Sequence, residues 1–427
     1  LALLKRYALA QGDAKAWADL LGRTLKAAGK SYMPLTGLYV SALACLNLNA
    51  RVLSASGHQP NPAPSIAPQV KRMHELMVQR AYAEAEPVAR QLTKVAPRFW
   101  DAWEALAVSL FSTFRSPEAL QPALTMLDLA PADSQSHIVL AAILAQLGRT
   151  SEAIAVGRRA VELGPRNAEA HAILADALAA ERRHKEAQAS NLTAIALDPK
   201  QRKARINLCK AYIDAGEVSL AEQAAREAVA IFPTDAIVRN NLLFALNYSH
   251  ERTAEEVFQA YQECDRQLFQ PLRNKWQPHA NPRHADRKLK IGYVSPDFRK
   301  HSGNNFVELV FAHHDRQAFE LTAYAELLVE DEVTERFKTY FDHWTPTAGL
   351  TDAELAEQIR DDGIDILIDL AGHTQGNRLG AFARKPAPVS LTWMGYGYTT
   401  GLSAIDYIVM DVTMAPAGSD TLFFHKR

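Results

Sequence analysis

His301 and His373 each stand in a short polar segment flanked by glycine, and imidazole exchanges protons readily near neutral pH. The first segment runs Ser295-Pro296-Asp297-Phe298-Arg299-Lys300-His301-Ser302-Gly303. The second runs Ala371-Gly372-His373-Thr374-Gln375-Gly376-Asn377-Arg378, and a third, without histidine, runs Gly395-Tyr396-Gly397-Tyr398-Thr399-Thr400-Gly401. Glycine lets a backbone come close to a ligand, so these residue types suit proton transfer to or from a bound molecule. Other chemistries find no support. There is no G-x-x-x-x-G-K-[ST], no G-x-S-x-G and no H-E-x-x-H. The third segment misses the dinucleotide fingerprint because Thr400 takes the last glycine's place and Gly401 comes one residue late. His313-His314-Asp315 has the composition of a metal site, but neighbouring side chains on a helix point to different faces. No Asp-x-Asp pair offers a carboxylate clamp for a metal-bound nucleotide.

The surrounding pattern says what must hold these segments. Apolar runs at Leu289–Val294, Phe319–Ala325, Ile364–Leu370, Val389–Met394 and Ile405–Met410 read as strands. Helical stretches are expected at Asn304–His313, near 333–340 and at 352–361. Strands alternating with helices predict a parallel sheet covered by helices. Ligands of such a sheet lie outside the carboxyl ends of the strands, and all three polar segments directly follow a strand.

Upstream the grammar differs. Pro97, Pro131, Pro165, Pro199 and Pro233 are spaced by one constant interval of 34 residues, a period of stacked helix pairs. Ahead of each proline lie matching columns: Ala85, Ala119, Ala153, Ala187 and Ala221, and Val95, Leu129, Leu163, Leu197 and Ile231. Alanine permits close helix approach, the aliphatic residue covers the contact, and proline stops the helix. Gly148 and Gly216 mark the inter-helix turn in two repeats, and the whole pattern resembles the tetratricopeptide family. The expected organisation is a divergent helical cap and proline-rich linker at 1–65, a repeat array at 66–270, a basic linker at 271–288 and an α/β lobe at 289–427.

Bulk properties narrow the function. A net charge of −1 over 427 residues gives no reason to expect nucleic acid or an anionic membrane as partner. Three scattered cysteines, Cys45, Cys209 and Cys264, suit a reducing, cytoplasmic compartment, and Cys209 falls on a small-residue column that should be core. No apolar stretch is long enough to span a bilayer.

An ordered series of motifs resembles the O-linked N-acetylglucosamine transferases, of a bacterial type. It comprises residues 289–301, Asp362-Gly363-Ile364, residues 372–378, Arg384-Lys385-Pro386-Ala387-Pro388, Trp393-Met394-Gly395-Tyr396 and Asp406-Tyr407-Ile408. The resemblance implies a tetratricopeptide superhelix, an α-solenoid, followed by a Rossmann-like lobe of a GT-B glycosyltransferase. It also implies a second lobe, supplying a lysine and a helix N-terminus for UDP, that is not present in residues 1–427. By resemblance His301 matches the histidine proposed as catalytic base, while His373, Thr374, Gly395, Tyr396, Tyr398 and Thr399 line the same cleft as substrate-binding residues. Asn207 and Asn241 match asparagines that hold acceptor peptide backbone. Tyr398 departs from the family, which has glycine there.

The activity implied by this resemblance is inverting, metal-independent transfer of N-acetylglucosamine from UDP-GlcNAc to serine or threonine of acceptor proteins. No cofactor and no metal are expected, and this stretch alone is expected to turn over little. Two other readings stay open: a non-catalytic peptide-binding scaffold, or a related transferase with a different sugar or an asparagine acceptor.

Overall fold

The computed structural model describes residues 64–284, 286–395, 398–411, 413 and 415. Cys45 and the proposed cap therefore lie outside the described residues. The chain divides into two compact units, Leu1–Glu217 and Val218–Arg427.

The described part of the first unit is a run of antiparallel helix pairs: α1 (Ala67–Val78), α2 (Tyr82–Val95), α3 (Trp100–Ser112), α4 (Ser116–Leu129), α5 (Ser134–Gln146), α6 (Thr150–Leu163), α7 (Ala168–Ala180), α8 (His184–Leu197) and α9 (Arg202–Asp214). The recurring proline falls two residues beyond the ends of α2, α4, α6 and α8. Ala85, Ala119, Ala153 and Ala187 are fully buried between helices, as the column predicts. Cys209 is buried too, and burial pushes its thiol up to about 12, which leaves it inert.

Two further columns emerge that the apolar pattern does not show. From Pro131 onward the residue two after the proline caps the next helix: Asp133, Asn167, Gln201 and Asp235 each accept a backbone N–H from the first turn they precede. In most repeats the residue six after proline turns back to donate to the proline carbonyl, from Trp103 at 2.9 Å, His171 at 3.1 Å and Arg205 at 2.7 Å, whereas His137 bonds the carbonyl of Asp133. The inter-helix turns are equally periodic. Arg80, Phe114, Gly148 and Arg182 all have φ between 57° and 71°, the left-handed turn that ends a helix. Only one of these four is glycine.

The second unit opens with α10 (Val218–Ile231), α11 (Ala236–Tyr248) and α12 (Ala254–Cys264). It continues as β1 (Leu289–Ser295), α13 (Asn304–Ala312), β2 (Phe319–Ala325), α14 (Glu332–Lys338), β3 (His343–Pro346), α15 (Asp352–Asp361), β4 (Ile366–Asp369), α16 (Leu379–Phe382), β5 (Val389–Trp393) and β6 (Tyr407–Val409). The strands form one sheet in the order β3-β2-β1-β4-β5-β6, and every neighbouring pair is parallel. Strand β3 and helix α16 are absent from the sequence expectation, both being only four residues long. β3 lies at the sheet edge and ends in proline, where a missing N–H costs no ladder bond.

Alternation along the strands gives the sheet two cores. Ile291, Tyr293, Leu321, Ala323 and Ile368 face a cluster with Phe298, Phe311, Phe337 and Phe341. Val294, Tyr324 and Leu367 face the opposite cluster, which includes Leu243 and Leu246 of α11 and Val257, Tyr261 and Cys264 of α12. The last helices of the array pattern thus share a core with the sheet. That is why compactness divides the chain well before the change of sequence grammar at 271.

The basic stretch 271–288 is fastened to the sheet domain rather than free. Trp276 donates to the carbonyl of Ala383 at 2.8 Å, and His279 contacts the carbonyl of Lys385 at 3.0 Å. Asn281 and Arg287 both bond the buried Asp365, whose carboxyl Arg287 helps to hold below the usual range against the opposing effect of burial.

Candidate functional site

The order β3-β2-β1-β4-β5-β6 reverses between β1 and β4, and a crevice opens at such a switch point outside the strand ends. The loops after β1, β4 and β5 therefore stand side by side. Their contacts are close. A Cβ on Gly376 of the second loop would lie 2.8 Å from Pro296 of the first. One on Gly395 of the third would lie 2.0 Å from the carbonyl of Leu370 at the root of the second. No larger residue fits at Gly395 without moving a backbone. Met394 beside it sits at φ 60° while exposed, a conformation that costs energy in a methionine.

Each loop has its own anchor. Phe298 plugs the first into the aromatic core, its ring 5.5 to 6.2 Å from those of Phe311, Phe337, Phe341 and Trp344. Its carbonyl accepts from the Thr334 hydroxyl at 2.8 Å, and Lys300 N–H donates to Asp331 at 2.8 Å. His301 follows directly and is exposed. Its Nδ1 accepts from the Gly303 N–H at 3.2 Å, and its Nε2 lies 4.0 Å from Asp297 Oδ2.

The second loop hangs from Asp369, which is buried at the end of β4. This carboxylate accepts from Ala371 N–H at 3.1 Å, Gly372 N–H at 2.9 Å and the Thr392 hydroxyl of β5 at 2.6 Å. Burial pushes its pKa up, and the three donors pull the other way. Thr374 closes the turn by donating to Ala371 O at 2.8 Å. Arg378, nearly enclosed, leaves the loop by donating to Glu326 at 2.5 Å, Asp352 at 2.7 Å and Leu350 O at 2.8 Å.

Of the residues expected to line a cleft, His301 faces outward. His373 does not: only 5% of its surface is exposed, and both ring nitrogens meet protein atoms. Thr399 is buried, its hydroxyl accepting from Gly401 N–H at 3.1 Å. Tyr398 packs its ring 5.2 Å from Tyr261 and donates to Ala254 O at 3.3 Å, so it stands against α12. As placed, His373, Thr374, Gly395, Tyr398 and Thr399 build the rim. Tyr396 lies outside the described residues.

On the array, the Asn207 amide donates to Asp176, which also pairs with Lys203. Asn241 is half-buried on α11. His313 bonds the carbonyl of Leu309 at 2.8 Å while His314 meets the Tyr293 hydroxyl at 2.7 Å, so this pair diverges. Among the described residues no three His, Cys, Asp or Glu side chains group as metal ligands, and no helix is long and apolar enough to cross a membrane.

Two family models match. Glycosyl transferase family 41 matches residues 262–426, and a tetratricopeptide repeat model matches four overlapping stretches between 71 and 236. A structure of a mutant O-GlcNAc transferase from Thermobaculum terrenum aligns with 75% of this chain and 55% of its own at 30% identity, TM-score 0.54. Residues 262–426 thus match glycosyl transferase family 41 and residues 71–236 match tetratricopeptide repeats, which together support a protein of the O-GlcNAc transferase kind.

Among family 41 relatives, a rice protein described as a probable UDP-N-acetylglucosamine–peptide N-acetylglucosaminyltransferase SPINDLY is 39% identical over 182 residues. Those residues make up 41% of this chain and 19% of the rice protein. The Caenorhabditis elegans UDP-N-acetylglucosamine–peptide N-acetylglucosaminyltransferase is 36% identical over 153 residues, 34% of this chain and 13% of that one. The chain thus spans about a fifth or less of the length of these relatives. Motif reading missed the roles of Asp369 and Phe298 within the family 41 segment and of Asn240 ahead of it, the residues that hold the loops. Asp369 carries a signal in retrospect, since an acid closing an apolar strand must be satisfied by the loop that follows it.

Proposed function

We propose that the gene product transfers N-acetylglucosamine from UDP-GlcNAc, with inversion and without metal, to serine or threonine hydroxyls of acceptor proteins engaged by the repeat array. The observation that carries this reading is the exposed His301 at the switch-point rim of a family 41 lobe, where the loop after β4 presses on the loop after β1 and the loop after β5 on that after β4. Transfer to a hydroxyl builds oxocarbenium-like charge on the sugar and needs a base as the oxygen attacks. His301 is that base.

Its present contacts say what the step requires. With Nδ1 accepting from Gly303, a neutral ring carries its proton on Nε2. To accept the acceptor's proton the ring releases the Gly303 contact or exchanges tautomer, and Asp297 Oδ2 stands 4.0 Å from Nε2. Phe298 keeps the ring at the rim while this happens.

The test is radiolabelled transfer by the full-length gene product. Replacing His301 by alanine should lower kcat by about a hundredfold or more, the usual worth of a positioned base. An unchanged kcat removes the assignment, label on asparagine moves the reaction to another acceptor, and no label from any UDP-sugar leaves a binding scaffold.

A further inference from the structure

His373 poses a question of proton count. Its Nε2 lies 2.7 Å from the carbonyl oxygen of Thr400, on the loop after β5. Its Nδ1 lies 2.9 Å from the side-chain amide of Asn240 on α11, drawn with Oδ1 toward the ring. The Tyr261 ring of α12 meets the imidazole edge-on, centroids 5.2 Å apart. A carbonyl only accepts, so Nε2 must carry hydrogen. If Asn240 also presented oxygen, Nδ1 would need a second hydrogen and the ring would be a buried imidazolium. Burial opposes that state and pushes the ring's pKa down to about 4. The two ends of an amide have the same shape, so hydrogen-bond logic sets its orientation, and the NH2 end belongs against Nδ1.

We infer that Asn240 donates its amide hydrogen to His373 Nδ1 and is the positioning residue that locks this ring as the neutral Nε2–H tautomer, tying the loops after β4 and β5 to helix α11. Three elements meet at one ring. The loop after β4 supplies the imidazole, the loop after β5 the acceptor, and the array helix the donor. Asp369 holds the same two strand ends from beneath through Gly372 and Thr392, so the rim is clamped at two levels. The tautomer stands on the contacts and burial of the ring, whereas the effect on turnover rests on the transfer reaction proposed above.

Histidine-selective 15N labelling of this chain reads the tautomer directly, with His373→Gln supplying the assignment. At neutral pH the His373 Nδ1 signal should be that of an unprotonated nitrogen and Nε2 that of N–H. An Nδ1–H tautomer or an imidazolium overturns the inference. Asn240→Asp keeps the shape but cannot donate, so the ring should become an imidazolium at neutral pH; a ring that stays neutral also overturns it. In the full-length gene product, Asn240→Leu should lower kcat roughly tenfold, with the KM for donor little changed, and Asn240→Asp should recover most of the loss. Wild-type turnover in the leucine variant, with melting temperature recorded alongside, removes the positioning role. Absence of transfer by the wild type removes only the reading of function, because the nitrogen spectra decide the rest.

Discussion

His301 and His373 look alike in sequence, each in a polar glycine-containing loop after a strand, yet they end in opposite surroundings. His301 is exposed with one nitrogen 4.0 Å from a carboxylate, and His373 is sealed between three elements. Nothing local distinguishes them, because the partner that buries His373 is Asn240, 133 positions away. Asp369 makes the same point. It is one carboxylate with three donors, and an amide at that position would turn N–H toward N–H on at least one side. Asp369→Asn should therefore destabilise the chain by about 1.5–3 kcal/mol, the worth of a charge-assisted bond, measured by urea unfolding. A loss below the error of that measurement would mean that the loops hold their shape without it.

Helices and strands were far more legible than side-chain partners. The strand expected at Phe319–Ala325 and the helix expected at 352–361 appear with those bounds, since period-two and period-3.6 patterns depend only on local burial. The run Ile364–Leu370 shrinks to Ile366–Asp369, its ends being drawn into turns by Gly363 and by Asp369 itself. The repeat turns carry a prediction at this scale. Arg182 holds φ 58° where Gly148 and Gly216 hold the same conformation without a Cβ. Arg182→Gly should stabilise the array by about 0.5–1 kcal/mol, the relief of a left-handed residue less the added freedom of glycine when unfolded. Calorimetry reads this as a rise in Tm, and a fall would show that the arginine side chain outweighs its backbone.

For the molecule as a whole, the buried neutral His373 sets a pH dependence. Its folded pKa of about 4 lies below the ordinary 6.5, so between those values the unfolded chain binds more protons. Stability is then fully present above pH 6.5 and falls as pH drops toward 4, by about 3 kcal/mol from this group. Urea midpoints across that range should show the fall in the wild type and a shallower one in His373→Gln; equal slopes would exclude it. The family 41 lobe and the tetratricopeptide array were both readable because their motifs and periods are dense in the sequence. The compact division before Val218 was not, because it depends on Leu243, Leu246 and Tyr261 joining a core built from distant strands.

The stop, the cap and the carbonyl partner occur together at Pro165, Asn167 and His171 and, 34 residues on, at Pro199, Gln201 and Arg205. A gene segment of that length, copied or excised between two such prolines, would leave both new junctions already terminated, capped and paired. The array is in that sense modular at the level of the gene, able to lengthen or shorten by whole notches without redesign of its ends.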